Sequence, residues 1–554
     1  MNKGVVLIYN KYNMTFRFAI IVIMCGYLLN GCTSFLAENP TGDLTQDTQY
    51  DGNSDLNALK NGPYRDLQLW DDGAGTFNRL PLPLQYFTGE AISEDAHIQF
   101  SKWVNDQVSG DLLDNFNNQW RDWFQGVQDA NFSIHSIEDM TGVTDIERLK
   151  ALGEVRTLRA YFYFNLVRYF GDVPLDTANV KNPANANLPR ASLKKIYDEV
   201  IIPDLEFAVN QSGLEATRSS GGEVTKDVAR AILADVYLTA AGYPYQEVAT
   251  DTSQQWCEKG SWSMQNYPVN SQSSISFYKK AQTQLNALYN KYPLGAYSDL
   301  REPSMDNQGG AIFEVQYKDG IDNNDLIRMM FPNGSKNSQY GSNTGSFVPS
   351  MGYYNSYDPN DKRIQERVYF FTSDTKAKQY DPSESEVINF NRPYLYKFYD
   401  TQAVKETGRS GLNWPMYRYA DVLLMLTEVN WSLQQLGVNV PSNDIVKGIN
   451  EVRDRAGLSG YKASDITLKD IMSERAYELI FENKMIWDQR RTRKCLVNGN
   501  GEFSSLENFM GHKPDVYNYS FGPKNLLAPI PGREITRNSK MTQNFGYSPT
   551  QSAQ

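Results

Sequence analysis

The sequence predicts a mostly α-helical fold, in which paired helices support an irregular, loop-rich region with few short strands. Three observations predict it. Apolar residues recur at three- and four-residue steps through one stretch after another, glycine and proline close those stretches, and between Gly295 and Asp400 the periodicity gives way to Gly, Asn, Ser and Tyr. A loop-rich segment of that length inside a folded chain is usually functional, and its many aromatics argue against disorder.

The first strong helix reads from Ala151, where Ala151, Val155, Leu158, Phe162, Leu166 and Tyr169 share a face, Arg156, Arg159 and Arg168 lie elsewhere on the wheel, and Gly171 and Pro174 stop it. From Lys226 the rows Val228/Ile232/Val236 and Ala229/Leu233/Tyr237 form a wide apolar face. Ala231 and Ala234 leave room there for a neighbouring helix, and Gly242 and Pro244 end it. Further helices are expected over residues 277–289, 420–433 and 444–455. Another begins at the capping-box pattern Thr467-Leu468-Lys469-Asp470, with a face running from Leu468 through Leu479 and Ile480 to Ile486 and Trp487. Arg475 and Asn483 interrupt that face and need buried partners or a solvent edge. Arg455, Arg475, Glu478, Glu482 and Arg490, on or beside apolar faces, are expected to form an internal ion-pair network, because charges survive there by pairing. Residues 311–317 read as a strand.

The N-terminus carries a separate signal. Lys11 and Arg17 precede an apolar run over residues 18–29 that halts at Leu29-Asn30-Gly31-Cys32. The run is shorter than the roughly 20 residues of a spanning helix, and a small residue before a cysteine suits signal-peptide cleavage. Met14 offers a second, more compact start. The segment resembles a bacterial lipoprotein signal with its lipobox, which implies lipidation of Cys32. Each buried acyl methylene contributes about 0.8 kcal/mol to membrane attachment. Residues 33–50 are polar and without periodicity, and read as a tether. The expected organisation is therefore signal peptide 1–31, lipidated tether 32–50, an N-terminal helical region 51–290 and a C-terminal region 291–554, the last two packed as one composite fold.

Removal of residues 1–31, which carry three cations and no acid, takes the formal charge from −11 to −14. Such a balance, without basic clusters, disfavours nucleic acid. Cys257 and Cys495 lack metal-type spacing; the sequence leaves open whether they pair or remain buried thiols. His97, His135 and His512 are scattered, and no metal pair, nucleophile elbow or phosphate loop is present. Neither a catalytic residue, a metal site nor a cofactor is therefore assigned. Glu90, Glu94 and Asp95 form the kind of acidic cluster that a glycosidase pair requires, but long acidic chains offer many such clusters. The chain holds 35 Tyr and 9 Trp, and stacking of sugar rings on loop aromatics asks for less than catalysis does. Candidate platforms are Trp70, Trp103, Trp262, Phe331, Tyr340 and Tyr353, each weighed against a role in the core or at a partner.

The Ala/Tyr/Leu composition of the helix pairs resembles tetratricopeptide-like hairpins, although no strict period of about 34 residues supports a regular solenoid. Several ordered segments together resemble the SusD/RagB family of outer-membrane nutrient-binding lipoproteins. They are Glu154-Val155-Arg156 through Tyr161-Phe162-Tyr163-Phe164-Asn165 to Gly171-Asp172-Val173-Pro174, Arg418-Tyr419-Ala420-Asp421, and Asn450-Glu451-Val452-Arg453 to Gly457. To these are added Glu474-Arg475, Trp487-Asp488-Gln489-Arg490-Arg491, Pro529-Ile530-Pro531-Gly532-Arg533 and Asn544-Phe545-Gly546-Tyr547. The resemblance implies four tetratricopeptide-like helix pairs, a lipid anchor at the outer membrane and cell surface, and non-covalent binding of extracellular glycan. It also implies a partner, a SusC-like TonB-dependent barrel transporter that receives the ligand during nutrient uptake and polysaccharide utilization. Alternatives left open are a peptide-binding member, a surface glycoside hydrolase and a purely structural lid.

Overall fold

Ten α-helices of eight residues or more order the described part of the chain. They are α1 (Gly52–Asn61), α2 (Asp114–Glu138), α3 (Asp145–Phe170), α4 (Ile202–Asn210), α5 (Lys226–Ala241), α6 (Gln272–Leu288), α7 (Tyr419–Gln435), α8 (Ser442–Arg455), α9 (Leu468–Glu478) and α10 (Met485–Thr492). The computed structural model describes residues 50–548 apart from 69–83, 95–99, 108–113, 179–186, 218–220, 249–255, 261, 263, 325–328, 333–344, 379–380, 407–409 and 500. The signal peptide, Cys32 and nearly all of the tether lie outside the described residues. Asp51–Gln554 form one unit and Met1–Tyr50 another.

From α2 to α8 each helix packs on the next, so a continuous helical layer crosses residue 290 where α6 meets α7. Close approach is built in at small residues. A Cβ on Gly448 of α8 would stand 2.3 Å from the Leu423 carbonyl oxygen of α7, and one on Gly126 of α2 would stand 2.7 Å from the Phe162 ring of α3. Helix α3 is buried on all sides along most of its length, and Arg159 is drawn in by a bidentate pair with Asp204 of α4 at 2.8 and 2.9 Å. Its start lies six residues before the expected Ala151. Thr144 and Glu147 form a capping box there, which sets the helix end more strongly than the first apolar residue does. Gly171, at φ +73°, closes the other end as expected.

Among the described residues six strands of five residues or more form three antiparallel pairs, β1 (Ala311–Val315) with β4 (Trp414–Arg418), β2 (Phe370–Lys378) with β3 (Asp381–Leu395), and β5 (Lys494–Asn498) with β6 (Phe503–Asn508), and two further pairs are only two residues long. The expected strand at 311–317 is β1. The β2–β3 hairpin carries few apolar residues beyond its base, so the sequence offers no clean alternation for it.

The helix opened by the Thr467 capping box does not run on to Trp487. It ends at Glu478 and resumes at Met485, with Phe481 and Asn483 both left-handed at φ +59° between them. The break frees backbone carbonyls in the protein interior, and such groups need donors. Lys397 Nζ supplies them to the oxygens of Glu478 and Ile480, at 2.9 and 3.1 Å, and Arg418 Nη2 reaches the Glu478 oxygen at 3.2 Å. The same cations meet carboxylates. Glu482 accepts from Lys397 and, at 2.6 Å, from Arg418, while Glu478 accepts from Arg455 at 2.5 Å, Arg418 at 3.2 Å and Arg363 at 3.3 Å. A neighbouring group joins Arg475 to Asp421 and Asp488 at 2.9 and 2.7 Å, and Arg491 to Glu428 and Asp488 at 2.5 and 2.7 Å.

Burial by itself raises the Asp421 carboxyl, but Lys484 and Arg475 outweigh it and hold it down at about 2. Likewise burial opposes ionisation of Glu478, and the four cations Arg455, Arg418, Arg363 and Lys397 bring it well below the usual carboxylate range. The expected network is thus present for Arg455, Arg475, Glu478 and Glu482. Arg490 is the exception: it has no carboxylate partner among the described residues and donates instead to the Asn525 carbonyl at 3.1 Å. Cys257 and Cys495 are both free and buried.

Two outcomes are predicted. Glu478→Gln or Arg418→Met, each leaving buried opposite charges unmatched, should lower unfolding free energy in urea by about 3–5 kcal/mol. Acid should act on the same groups. Carboxylates lowered in the folded state contribute stability that is complete above the unfolded value of about 4 and is lost as pH falls toward 2, so the urea midpoint should drop through that window.

Candidate functional site

A cleft of about 80 Å³ opens where α2, α3, the β1–β4 pair and the α9–α10 break converge. On α3, Tyr161, Asn165 and Arg168 follow at i, i+4 and i+7, so one helix face presents an aromatic ring, an amide and a cation in a row. Trp414 and Met416 alternate along β4, Tyr317 follows β1, Asn483 and Lys484 come from the break, and Trp487 from α10. The floor is aromatic: the Tyr169 ring lies 4.6 Å from Trp123 and 4.9 Å from Trp487. Tyr161 and Tyr317 are half-buried, the positions best placed to offer ring surface.

The polar groups are held in fixed directions. The Arg168 guanidinium lies 3.9 Å from the Phe164 ring centre and 4.8 Å from that of Trp487, and donates to Asn165 Oδ1 at 2.6 Å. Asp235 balances it at 3.5 Å and is itself held by the Tyr417 hydroxyl at 2.6 Å. Lys484 donates to the Met416 carbonyl at 2.7 Å and pairs with Asp421 at 2.8 Å. Glu482 is the single carboxylate among the described lining residues, and both its oxygens are taken by Arg418 and Lys397. Most glycosidases place two carboxylates across a substrate, and the described lining residues supply one. No group of three or more His, Cys, Asp or Glu suited to a metal occurs among the described residues.

The aromatics singled out in the sequence lie elsewhere. Trp103 is 1 % exposed and sits 4.6 Å edge-on to Phe87; Phe331 stacks on Tyr399 at 4.6 Å; Tyr353 donates its hydroxyl to the Ala476 carbonyl at 2.9 Å; Trp262 is also buried. These four rings are covered by protein in this structure, a correction to their reading as open platforms. Large aromatics in Gly- and Asn-rich loops anchor those loops by burying their area. Trp70 and Tyr340 lie outside the described residues. Of the acidic cluster, Glu90 is buried, Glu94 accepts from the Tyr394 hydroxyl at 2.9 Å, and Asp95 lies outside the described residues. Tyr161, Tyr317, Trp414 and Trp487 were not distinguishable from core aromatics in sequence. The available signal was the Tyr161/Asn165/Arg168 row, polar groups on a helix otherwise buried.

Among the described residues no helix is long and apolar enough to cross a membrane. Two family models match the chain, one described as the SusD family over residues 309–547 and one as starch-binding associating with outer membrane over residues 81–238. A SusD superfamily protein of Parabacteroides distasonis is similar in structure with a TM-score of 0.77 and 31% identity, covering 91% of this chain and 100% of its own. SusD-like protein P2 of Formosa agariphila is 25% identical over 97% of this chain and 100% of its own length. Surface glycan-binding protein A of Bacteroides thetaiotaomicron, solved in complex with laminarihexaose, has the same fold with a TM-score of 0.66 at 19% identity, over 89% of this chain and 99% of its own. With a relative of this identity aligned along its whole length and family models at both ends of the fold, the chain belongs to the SusD family.

Proposed function

We propose that the protein is a non-catalytic outer-membrane lipoprotein, anchored through Cys32, that binds an extracellular oligo- or polysaccharide and delivers it to a SusC-like TonB-dependent transporter. The observation that carries this reading is the cleft itself, with the half-buried rings of Tyr161 and Tyr317, together with the buried rings of Trp414 and Trp487, around amides and cations that are already oriented. The C–H faces of a pyranose stack on such rings, and Asn165, Asn483 and Lys484 supply donors and acceptors for its hydroxyls. The laminarihexaose-bound neighbour of the same fold supports a β-glucan as the first ligand to try. The single lining carboxylate, engaged on both oxygens, supports binding without cleavage.

The test is a calorimetric panel of glycans and peptides on the chain without residues 1–32, with a reducing-sugar assay on each hit. The expected result is saturable glycan binding with no product; heat from peptides alone, or released sugar, would overturn it. Tyr161→Ala and Tyr317→Ala should each weaken the bound glycan by about tenfold, about 1.4 kcal/mol, with little change in Tm because both rings are half-buried.

Glu90 separates the binding and hydrolase readings. Burial pushes its carboxyl up to about 8. A folded value above the unfolded one means stability that is full below about pH 4 and declines as pH rises toward 8. Glu90→Gln should remove that part of the pH slope in urea unfolding and leave glycan affinity unchanged, whereas lost turnover in this variant would mark Glu90 as catalytic.

A further inference from the structure

Arg490 is 4 % exposed, yet it is the one member of the expected ion-pair network without a carboxylate among the described residues. Its Nε and Nη1 have no hydrogen-bond partner, and Nη2 alone donates, to the Asn525 carbonyl at 3.1 Å. The Phe87 and Trp487 rings lie 5.6 and 5.5 Å from the guanidinium carbon, and the phenols of Tyr169 and Tyr547 are also near it. Arg490 lines a cavity of about 30 Å³ whose described walls also include Arg168, Arg491 and Arg493 and contain no acidic side chain. The other three guanidiniums are balanced outside the cavity: Arg168 by Asp235 at 3.5 Å, Arg491 by Glu428 and Asp488 at 2.5 and 2.7 Å, and Arg493 by Glu247 at 2.8 Å. Nε of Arg168 and of Arg493 are also without hydrogen-bond partners. The cavity therefore holds one uncompensated positive charge and several unused N–H donors.

A buried cation without a counter-charge costs several kcal/mol, and a guanidinium does not escape by losing its proton at neutral pH. We infer that this cavity is a binding site for a small monovalent anion, of the chloride class, held by Arg490 with N–H groups of Arg168 and Arg493. The anion would complete the charge balance that Glu and Asp provide elsewhere in the interior. Because Arg168 and Trp487 line both this cavity and the aromatic cleft, the anion would also fix the two side chains that close the cleft's floor. The inference stands independently of what the cleft binds.

The test uses the purified full chain at constant ionic strength, with sodium chloride exchanged for sodium gluconate, and crystals soaked in sodium bromide. Binding to the folded state alone raises Tm with anion concentration. The expected results are a saturable rise in Tm with chloride, no such rise with gluconate, and a bromide anomalous peak beside Arg490. Arg490→Met should abolish the chloride dependence; where that variant does not fold, the bromide peak in the unaltered protein decides. A Tm insensitive to halide, with water and no bromide in the cavity, would overturn the inference.

Discussion

The interior turn between Glu478 and Met485 depends on Lys397 and Arg418 donating to the carbonyls that the helix leaves behind. A continuous helix through this point would carry its own hydrogen bonds and need no cations. Once it breaks, the exposed oxygens and the two glutamates beside them make a concentrated negative region, and the fold answers with three guanidinium groups, of Arg363, Arg418 and Arg455, and the Lys397 ammonium. The arrangement is stable only as a whole. Each member removed leaves the others buried without a match, at a cost larger than a surface pair ever repays.

The break also makes the cleft. It turns Asn483 and Lys484 toward β4, where Lys484 grips the Met416 carbonyl and Asp421 at the start of α7, and it reorients α10 so that Trp487 meets Tyr169 and Arg168 of α3. Helix, strand pair and break are thereby tied at one point. Preorganised rings and fixed polar groups reduce what must be ordered when a ligand arrives, which is how a site with few contacts retains affinity. The chain belongs to the SusD family, and a protein of the same fold has been solved with laminarihexaose bound.

Helix positions were legible because periodicity and caps are local: Thr467, Gly171 and Gly242 mark ends that the structure keeps. The break was not. Ile480, Phe481 and Ile486 maintain apolar continuity across it, and the cations that make it tolerable come from Lys397 and Arg418, far away in sequence. Pairing of Arg455, Arg475, Glu478 and Glu482 could be inferred from charges on apolar faces, but the same rule failed for Arg490, whose isolation depends on which carboxylates reach it in space. The site was the least legible part. Its side chains come from five separate elements between Trp123 and Trp487, and in sequence each is an aromatic or polar residue like many others. Trp103 and Tyr353 stood out more because of the polar residues around them, but they lie in the short helices Phe100–Val104 and Met351–Tyr354 and are buried in the core.

The most direct measurement is a crystal structure of the protein soaked with the glycan that gives the strongest calorimetric signal. Sugar density is expected in the cleft, with a pyranose ring against Tyr161 or Tyr317 and hydroxyls at Asn165 or Lys484. Ordered sugar on another surface, with this cleft empty, would contradict it.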